Sequence, residues 1–405
     1  PDSGKGEEST VMIYGGSFTG GDAAKTAITV DNTENAIGAA TIYGGTFSSD
    51  PTPYLDEDFK MVQKPDGTYG VEELPAVAQI GTETYTSLEK AFAAAESGEI
   101  VTLLTDVDVP ETILLDDGRT VTVDLNGNNI AFASKKHFEV HHGTLNLQGT
   151  GVAYEKEPYY GPVMMYGTNE QQENYSVVNI GENVTLRGWS GVFVDYLDAY
   201  SDYANGVVIN VEGALQSVQD NTGAYGHAIY VQGMIKQTND TYAPHIHLLP
   251  TARVTATEEG NGMYLAGYAV TTIEEGATVT GGAVGIEIRA GKLTMTGGTV
   301  EATCTPTQID PNGNGSTTSG AALAVSQHTT ALPLEVTISG GTIRGYTGLY
   351  ENCVESSNNP ELVKVKIQGG NFAATNGGVN AVYADEVQTI EISGGYFTSE
   401  VPQNY

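Results

Sequence analysis

The chain has 405 residues, 40% of them hydrophobic, and its 17 Lys and Arg face 50 Asp and Glu for a formal net charge of −33. A surface this acidic repels phosphate backbones and anionic lipid, which excludes nucleic acid and acidic membranes as partners. No stretch approaches about 20 consecutive apolar residues, so no segment reads as a membrane-spanning helix.

One phrase punctuates the chain: apolar or β-branched residues alternating with polar ones, then Gly-Gly, then a small polar and an apolar residue. It reads Met12-Ile13-Tyr14-Gly15-Gly16-Ser17-Phe18 and Ile42-Tyr43-Gly44-Gly45-Thr46-Phe47, and returns at Gly297-Gly298, Gly340-Gly341, Gly369-Gly370 and Gly394-Gly395. Period-two alternation is the pattern of a strand, and paired glycines mark a sharp turn or close backbone approach. Return at intervals of tens of residues marks a solenoid, in which length adds coils rather than domains.

In chain order, residues 1–75 read as the closing coils and cap of a β-helix module, or as an N-terminal extension. Two Gly-Gly coils lead into an acidic stretch, and a hairpin follows with strands at 61–64 and 68–71 turned by Asp66-Gly67. Residues 72–75 read as a linker and 76–405 as the main β-helix. It opens with a short helix near 86–97, where Thr86 and Glu89 form a capping box and Leu88, Ala91, Phe92 and Ala95 share one face. Such a helix covers the open end of a solenoid, whose first coil otherwise exposes core and strand edge. Strands follow at 100–107 and 121–125, with Asn126-Gly127 as a turn.

Segments at 176–180, 207–211, 246–249, 272–274, 293–295, 336–338, 363–367 and 389–392 are expected to stack as one sheet. The Gly-Gly pairs at Gly281, Gly297, Gly340, Gly369 and Gly394 lie 16, 43, 29 and 25 residues apart, so loops vary from coil to coil. The fold class is therefore all-β: a right-handed parallel β-helix with a short N-terminal capping helix. The chain opens at Pro1, and Gly394 to Tyr405 repeats the design of Gly44 to Tyr54. Both features suggest a segment of a longer protein built from tandem modules.

Aligning the coils on the glycine that ends their second strand sets a register. Phe193, Tyr230, Tyr264, Glu287, Ala324, Tyr350 and Tyr383 then occupy equivalent outward positions. Two residues further on stand Asp195, Gln232, Ala266, Arg289, Ser326, Asn352 and Asp385. Neighbouring strands lie ~4.8 Å apart, which makes this an aromatic ridge edged with hydrogen-bonding groups. Sugars bind such combinations, although outward tyrosines also simply suit β structure. The line breaks at Glu287 and Ala324, where Arg289, Gln327 and His328 are expected to gather. The candidate ligand-binding set is thus Phe193, Tyr230, Tyr264, Glu287, Arg289, Gln327, His328, Tyr350 and Tyr383.

Other clusters carry less. Trp189, Asp195, Tyr196, Asp198, Tyr200, Asp202 and Tyr203 read as a Ca²⁺-bearing or glycan-binding loop, or as a solvated one. Asp124, Asn126 and Asn128 begin like a calcium loop but lack the closing Glu, so they read as a turn. His137, His141 and His142 have no metal-site context and are expected at an exposed strand end. Cys304 and Cys353 lack metal-finger spacing; they either pair across adjacent coils or stay as two buried thiols. No cofactor is expected, and Ca²⁺ is the one ion the carboxylates suit. A glycosidase or lyase needs several carboxylates, or a carboxylate with a basic residue, converging on one groove. Glu287 with Arg289 is only a fragment of that, so no catalytic residue is assigned.

Tyr85-Thr86-Ser87-Leu88, Asp124-Leu125-Asn126-Gly127, Tyr264-Leu265-Ala266-Gly267-Tyr268, Gly285-Ile286-Glu287-Ile288-Arg289, Val325-Ser326-Gln327-His328 and Ile392-Ser393-Gly394-Gly395 form a set. Together with the other Gly-Gly coils they resemble repetitive modules in large surface proteins of Gram-positive, gut-type bacteria. The resemblance implies a pectin lyase-like β-helix on an extracellular, secreted or wall-anchored, adhesin-like protein. It supplies no catalytic residues. The expected function is a non-catalytic module that binds a glycan or a host protein along its aromatic face. The rivals are a polysaccharide lyase or glycoside hydrolase on the same fold, and a stalk subunit that self-associates end to end.

Overall fold

A computed structural model describes residues 8–21, 26–30, 37–196, 203–306, 319–327, 331–351, 359–384 and 389–405. The chain divides into two compact units, Pro1–Ala76 and Val77–Tyr405.

In the first unit Glu8–Ile13 pairs in parallel with Ile37–Ile42, and Ser17–Phe18 with Thr46–Phe47. The two Gly-Gly phrases are therefore successive coils, and like stacks on like: Phe18 on Phe47 at 5.0 Å, Tyr14 on Tyr43 at 4.8 Å. After a 3-10 turn at Thr52–Tyr54, strands Phe59–Gln63 and Tyr69–Glu73 form the expected hairpin. Asp66 closes it, its carboxylate accepting from the Thr68 N–H at 3.0 Å and hydroxyl at 2.7 Å, while Gly67 takes φ of 83°. The hairpin's second strand runs antiparallel against Thr46–Phe47.

The second unit is a parallel β-helix. Its strands fall into sheets of thirteen, eleven and ten, and successive coils add one strand to each. Two strands at the start of the thirteen-stranded (long) sheet, Ala78–Ile80 and Glu83–Tyr85, pair antiparallel instead. All eight segments expected to share a sheet lie in the long one. Inside, apolar residues stack on their counterparts: Val123, Leu147, Ile180, Val211, Leu248, Ile273, Met295, Ile338 and Ile367 are successive partners, all buried. Each such aliphatic side chain contributes about 1.5–3 kcal/mol through burial, so every coil brings its own share of core.

The capping helix spans Leu88–Ala94, with Leu88, Ala91, Phe92 and Ala95 buried as expected. Its N-cap is Ser87 rather than Thr86: the Ser87 hydroxyl accepts from the Lys90 N–H at 3.2 Å. That shift puts Glu89 at the second helical position, where no reciprocal bond can form, so the expected capping box is absent. Arg119 holds the other end. Its Nη1 donates to the carbonyls of Phe92, Ala93 and Ala95 at 3.0, 3.3 and 2.5 Å, and its guanidinium lies 5.4 Å above the Phe92 ring. A cation thus meets carbonyls that the helix itself leaves without partners. Asn126 and Gly127 take φ of 48° and 84°, making the expected turn. No helix among the described residues is long and apolar enough to cross a membrane.

One corner of the solenoid accepts only small residues. Ala228, Gly262, Gly285, Ala322, Gly348 and Ala381 follow one another up the ten-stranded sheet. A Cβ on Gly262 would lie 2.6 Å from Cγ1 of Val279, and one on Gly285 only 2.8 Å from Cγ1 of Val300 and 2.4 Å from the Ala322 carbonyl oxygen. The sheet here presses against the valines of its eleven-stranded neighbour. Gly285→Val is therefore expected to cost about 1–3 kcal/mol, the usual penalty of overpacking. A urea midpoint equal to that of the parent chain would contradict this packing.

Candidate functional site

The ten-stranded sheet holds the residues singled out from the sequence in the register they were assigned. Phe193 pairs with Tyr230, Tyr230 with Tyr264, Tyr264 with Glu287, Glu287 with Ala324, Ala324 with Tyr350 and Tyr350 with Tyr383. The aromatic stack is continuous where rings are adjacent: Phe193 to Tyr230 at 4.6 Å, Tyr230 to Tyr264 at 5.5 Å, Tyr350 to Tyr383 at 5.1 Å. Met164 and Glu139 extend the column toward the capping helix.

The column differs from the exposed ridge expected in one respect: its middle is covered. Phe193 and Tyr264 are only 6% and 5% exposed, Glu287 and Ala324 fully buried, and of the tyrosines only Tyr383 reaches 37%. The physical reason lies partly in the rings themselves. Trp189 stands edge-on to Tyr230 at 5.9 Å, His227 packs on Tyr264 at 4.6 Å, and Tyr160 lies 6.2 Å from Phe193. Outward on a strand means away from the solenoid core, and side chains from adjoining turns then cover that face.

At the break in the aromatic line, Arg289 Nε donates to Glu287 Oε1 at 3.0 Å, and its guanidinium sits 5.1 Å from the Tyr264 ring. Both partners of this ion pair are buried. Gln327 does not join them as a ligand-facing group: its Nε2 donates to the Leu332 carbonyl at 2.7 Å and its Oε1 accepts from the Asn359 N–H at 2.6 Å, so it ties two loop segments together. His328 lies outside the described residues, as do Asn352, Asp385, Cys353 and the 197–202 part of the aromatic-acidic run. Cys304 is a half-buried free thiol whose Sγ donates to the Ala283 carbonyl. Asp195 is half-buried, and burial raises its carboxyl above the usual range against one hydrogen bond from the Tyr196 N–H.

His227 is enclosed by Trp189, Tyr230 and Tyr264, and its Nδ1 is buried with no hydrogen-bond partner among the described residues. Burial first, and then the charge of Arg289, push it down to about 3, so the imidazole is neutral in ordinary buffers. Further toward the helix, His137 is buried rather than at an exposed strand end. Its Nε2 lies 3.5 Å from Glu139 Oε2, and His141 Nε2 lies 2.6 Å from Glu139 Oε1. Hydrogen bonds from these two histidines hold Glu139 down to about 2. His142 stacks on Tyr175 at 4.3 Å. No group of three or more His, Cys, Asp or Glu among the described residues is placed to hold a metal ion. Asp124 makes a turn instead, accepting from the Asn126 N–H at 2.9 Å.

A second array was not picked out from the sequence. On the outward face of the long sheet, Asn146, Asn179, Asn210, His247 and Thr272 are successive partners. Asn179 donates to Asn146 at 2.7 Å, Asn210 to Asn179 at 2.7 Å, and the His247 ring meets the Thr272 hydroxyl at 2.8 Å. The asparagines and Glu212 line a groove of about 460 Å³; His247, Thr272, Glu274, Thr294 and Thr296 line a second of about 550 Å³. The readable signal was an Asn at the outward position of three consecutive strands, in Leu145-Asn146-Leu147, Val178-Asn179-Ile180 and Ile209-Asn210-Val211.

No protein-family model, curated protein or solved structure matches the chain.

Two outcomes follow from this geometry. Removing one member of the buried pair, by Glu287→Gln or Arg289→Met, is expected to cost about 3–5 kcal/mol, and the double substitution less than the sum. Additive losses in urea unfolding would show that the pair is not coupled. The second outcome concerns acid. The folded state binds a proton at His227 only near pH 3, while the unfolded chain does so near 6.5, so stability falls as pH drops through that window. Glu139 acts in the same direction: its contribution is complete above about 4.3 and is lost toward pH 2. His227→Phe should flatten the urea midpoint between pH 6.5 and 4, and an unchanged slope would contradict the assignment.

Proposed function

We propose that this chain is a non-catalytic, extracellular surface module of the adhesin-like kind, which binds a glycan chain laid along the outward face of the long sheet. The observation that carries the reading is the asparagine ladder opening onto its groove. A primary amide has two N–H donors and a carbonyl with two lone pairs. Within the ladder, Asn179 donates once and accepts once, which leaves a second donor and a second acceptor site for a ligand. Successive coils repeat that pair at the strand spacing of ~4.8 Å, a periodic surface suited to the repeated hydroxyl pairs of a polysaccharide. His247 and Thr272 continue the row.

Charge narrows the ligand. With a formal charge of −33, and Glu212, Glu274 and Glu275 at the groove margins, a polyanion is repelled and a neutral or amino-bearing glycan is favoured. The aromatic column stands on the outward face of a different sheet, with Tyr383 of the Tyr350–Tyr383 stack as its most open ring. Glu287 is fully buried and held by the Arg289 guanidinium at 3.0 Å, out of reach of a polymer bound on the surface, in line with a binding rather than a hydrolytic role.

Affinity electrophoresis against neutral, amino-bearing and acidic polysaccharides tests the reading. Retardation by a neutral or amino glycan is expected, weakened about tenfold or more by Asn179→Ala with Asn210→Ala, a loss of roughly 1.4 kcal/mol. Binding that survives both substitutions would remove the groove as the site. Release of reducing ends or unsaturated products from any of these polymers would replace the binding module with the lyase or hydrolase.

A further inference from the structure

We infer that the groove beside the asparagine ladder is an ammonium subsite, an assignment that rests on the glycan-binding reading of this face and makes the preferred ligand an amino-sugar polymer rather than a neutral one.

The ladder has a direction. Asn146 Nδ2 donates to the Thr122 hydroxyl at 3.1 Å, and Asn179 and Asn210 each donate to the asparagine before them at 2.7 Å. Every amide thus gives its hydrogen bond toward the N-terminal coils. The row ends at Asn210. Its next partner, His247, uses Nδ1 on the Thr272 hydroxyl, and no group among the described residues donates to Asn210 Oδ1.

The groove itself comes from a missing side chain. Two residues beyond the asparagines, Asp124 pairs with Gln148, and the equivalent outward sites in the next coils are Gly181, Glu212 and Leu249. These follow the successive partners Ile180, Val211 and Leu248. Gly181 puts nothing between Gln148 and Glu212, and the gap is the groove of about 460 Å³ that the three asparagines also line. A cleft of this volume takes the sugar ring that carries a charged group as well as the group itself.

Around that gap the chain offers acceptors. Gln148 commits its Nε2 to Asp124 at 3.1 Å. Gln148 Oε1, Asn210 Oδ1 and the Glu212 carboxylate then receive no donor among the described residues, and no Lys, Arg or His lines the groove. Elsewhere on this sheet a carboxylate meets cations of the chain, as Glu335 does Lys292 at 3.6 Å. Three acceptors match the three N–H donors of a protonated primary amine, and one of them answers its charge. A sugar hydroxyl brings a single donor and leaves Glu212 without a counter-charge. Ca²⁺ suits the place less, because one carboxylate and two amide oxygens fall well short of the about six to eight oxygens it takes. The second N–H of each asparagine stays available for the ring hydroxyls.

Isothermal titration of the full chain with chitosan, chitin and cellulose oligomers of equal length separates the possibilities. The three share one linkage and differ in carrying an amine, an acetamide or a hydroxyl. In mildly acidic buffer, where the amine is protonated, the chitosan oligomer is expected to bind about tenfold tighter than the other two, the scale of a charge-assisted hydrogen bond. Glu212→Gln should bring it down to the level of the cellulose oligomer. Glu391→Gln makes the same charge change at an exposed site six strands further along the sheet, and should leave the preference intact. Equal affinity for the chitosan and cellulose oligomers would overturn the subsite and leave the glycan-binding face standing. An equal loss in Glu391→Gln would also overturn it, by showing only a general attraction of a polycation to an acidic protein. Binding of none of the three would remove the face and the subsite together.

Discussion

Everything in the second unit depends on a parallel ladder that places each residue directly over its counterpart one coil below, at the ~4.8 Å spacing of hydrogen-bonded strands. The constraint is that a side chain must be compatible with a near-copy of itself above and below. Aliphatic residues satisfy it indefinitely, which gives the inner stack from Val123 to Ile367. Rings satisfy it by offset stacking, as in Phe193, Tyr230 and Tyr264. Amides satisfy it by donating up and accepting down, as in Asn146, Asn179 and Asn210. Charges of one sign do not satisfy it, and the column records how the chain responds: Glu287 has Ala324 as its next partner and takes its counter-ion from Arg289 on its own strand.

That rule explains what could be read from the sequence. Gly-Gly and period-two alternation fix strand, turn and coil, so the long sheet and the Phe193-to-Tyr383 register follow from spacing alone. The same logic missed the asparagine ladder because the register was anchored on the glycine ending the second strand of each coil, one sheet away from Asn146. Exposure was not legible either. Parity states which side of a strand a residue occupies, whereas burial of Tyr264 depends on His227, a residue 37 positions earlier that reaches it only through the coil geometry. The one-residue shift of the helix cap is of the same type. Thr86 and Ser87 are both competent caps, and only the backbone path into Leu88 distinguishes them.

Ladder stacking also determines where the acidic charge resides. Ion pairs on the outside join neighbouring coils: Glu301 of one coil with Arg344 of the next at 2.8 Å, and Lys292 with Glu335 at 3.6 Å. Pairs this exposed contribute little each, so their role is to keep like charges from standing directly opposite one another. With far fewer cations than anions available, most carboxylates must sit in loops and turns, where strand spacing does not force them together. The outward strand faces are therefore left largely to neutral donors and acceptors. This is a physical reason for the outward groove to be lined by Asn, His and Thr with glutamates at its rim.

The solenoid rule fails at the ends, because a terminal coil has a partner on one side only. The first coil of the long unit meets this with two unlike devices, the antiparallel pair Ala78–Ile80 and Glu83–Tyr85 on the sheet edge and the Leu88–Ala94 helix over the core, locked by Arg119. The coil at Thr46–Phe47 uses a third, a hairpin that reverses strand direction. All three replace a parallel neighbour with an element that cannot itself be extended by another coil, so each stops growth as well as covering it.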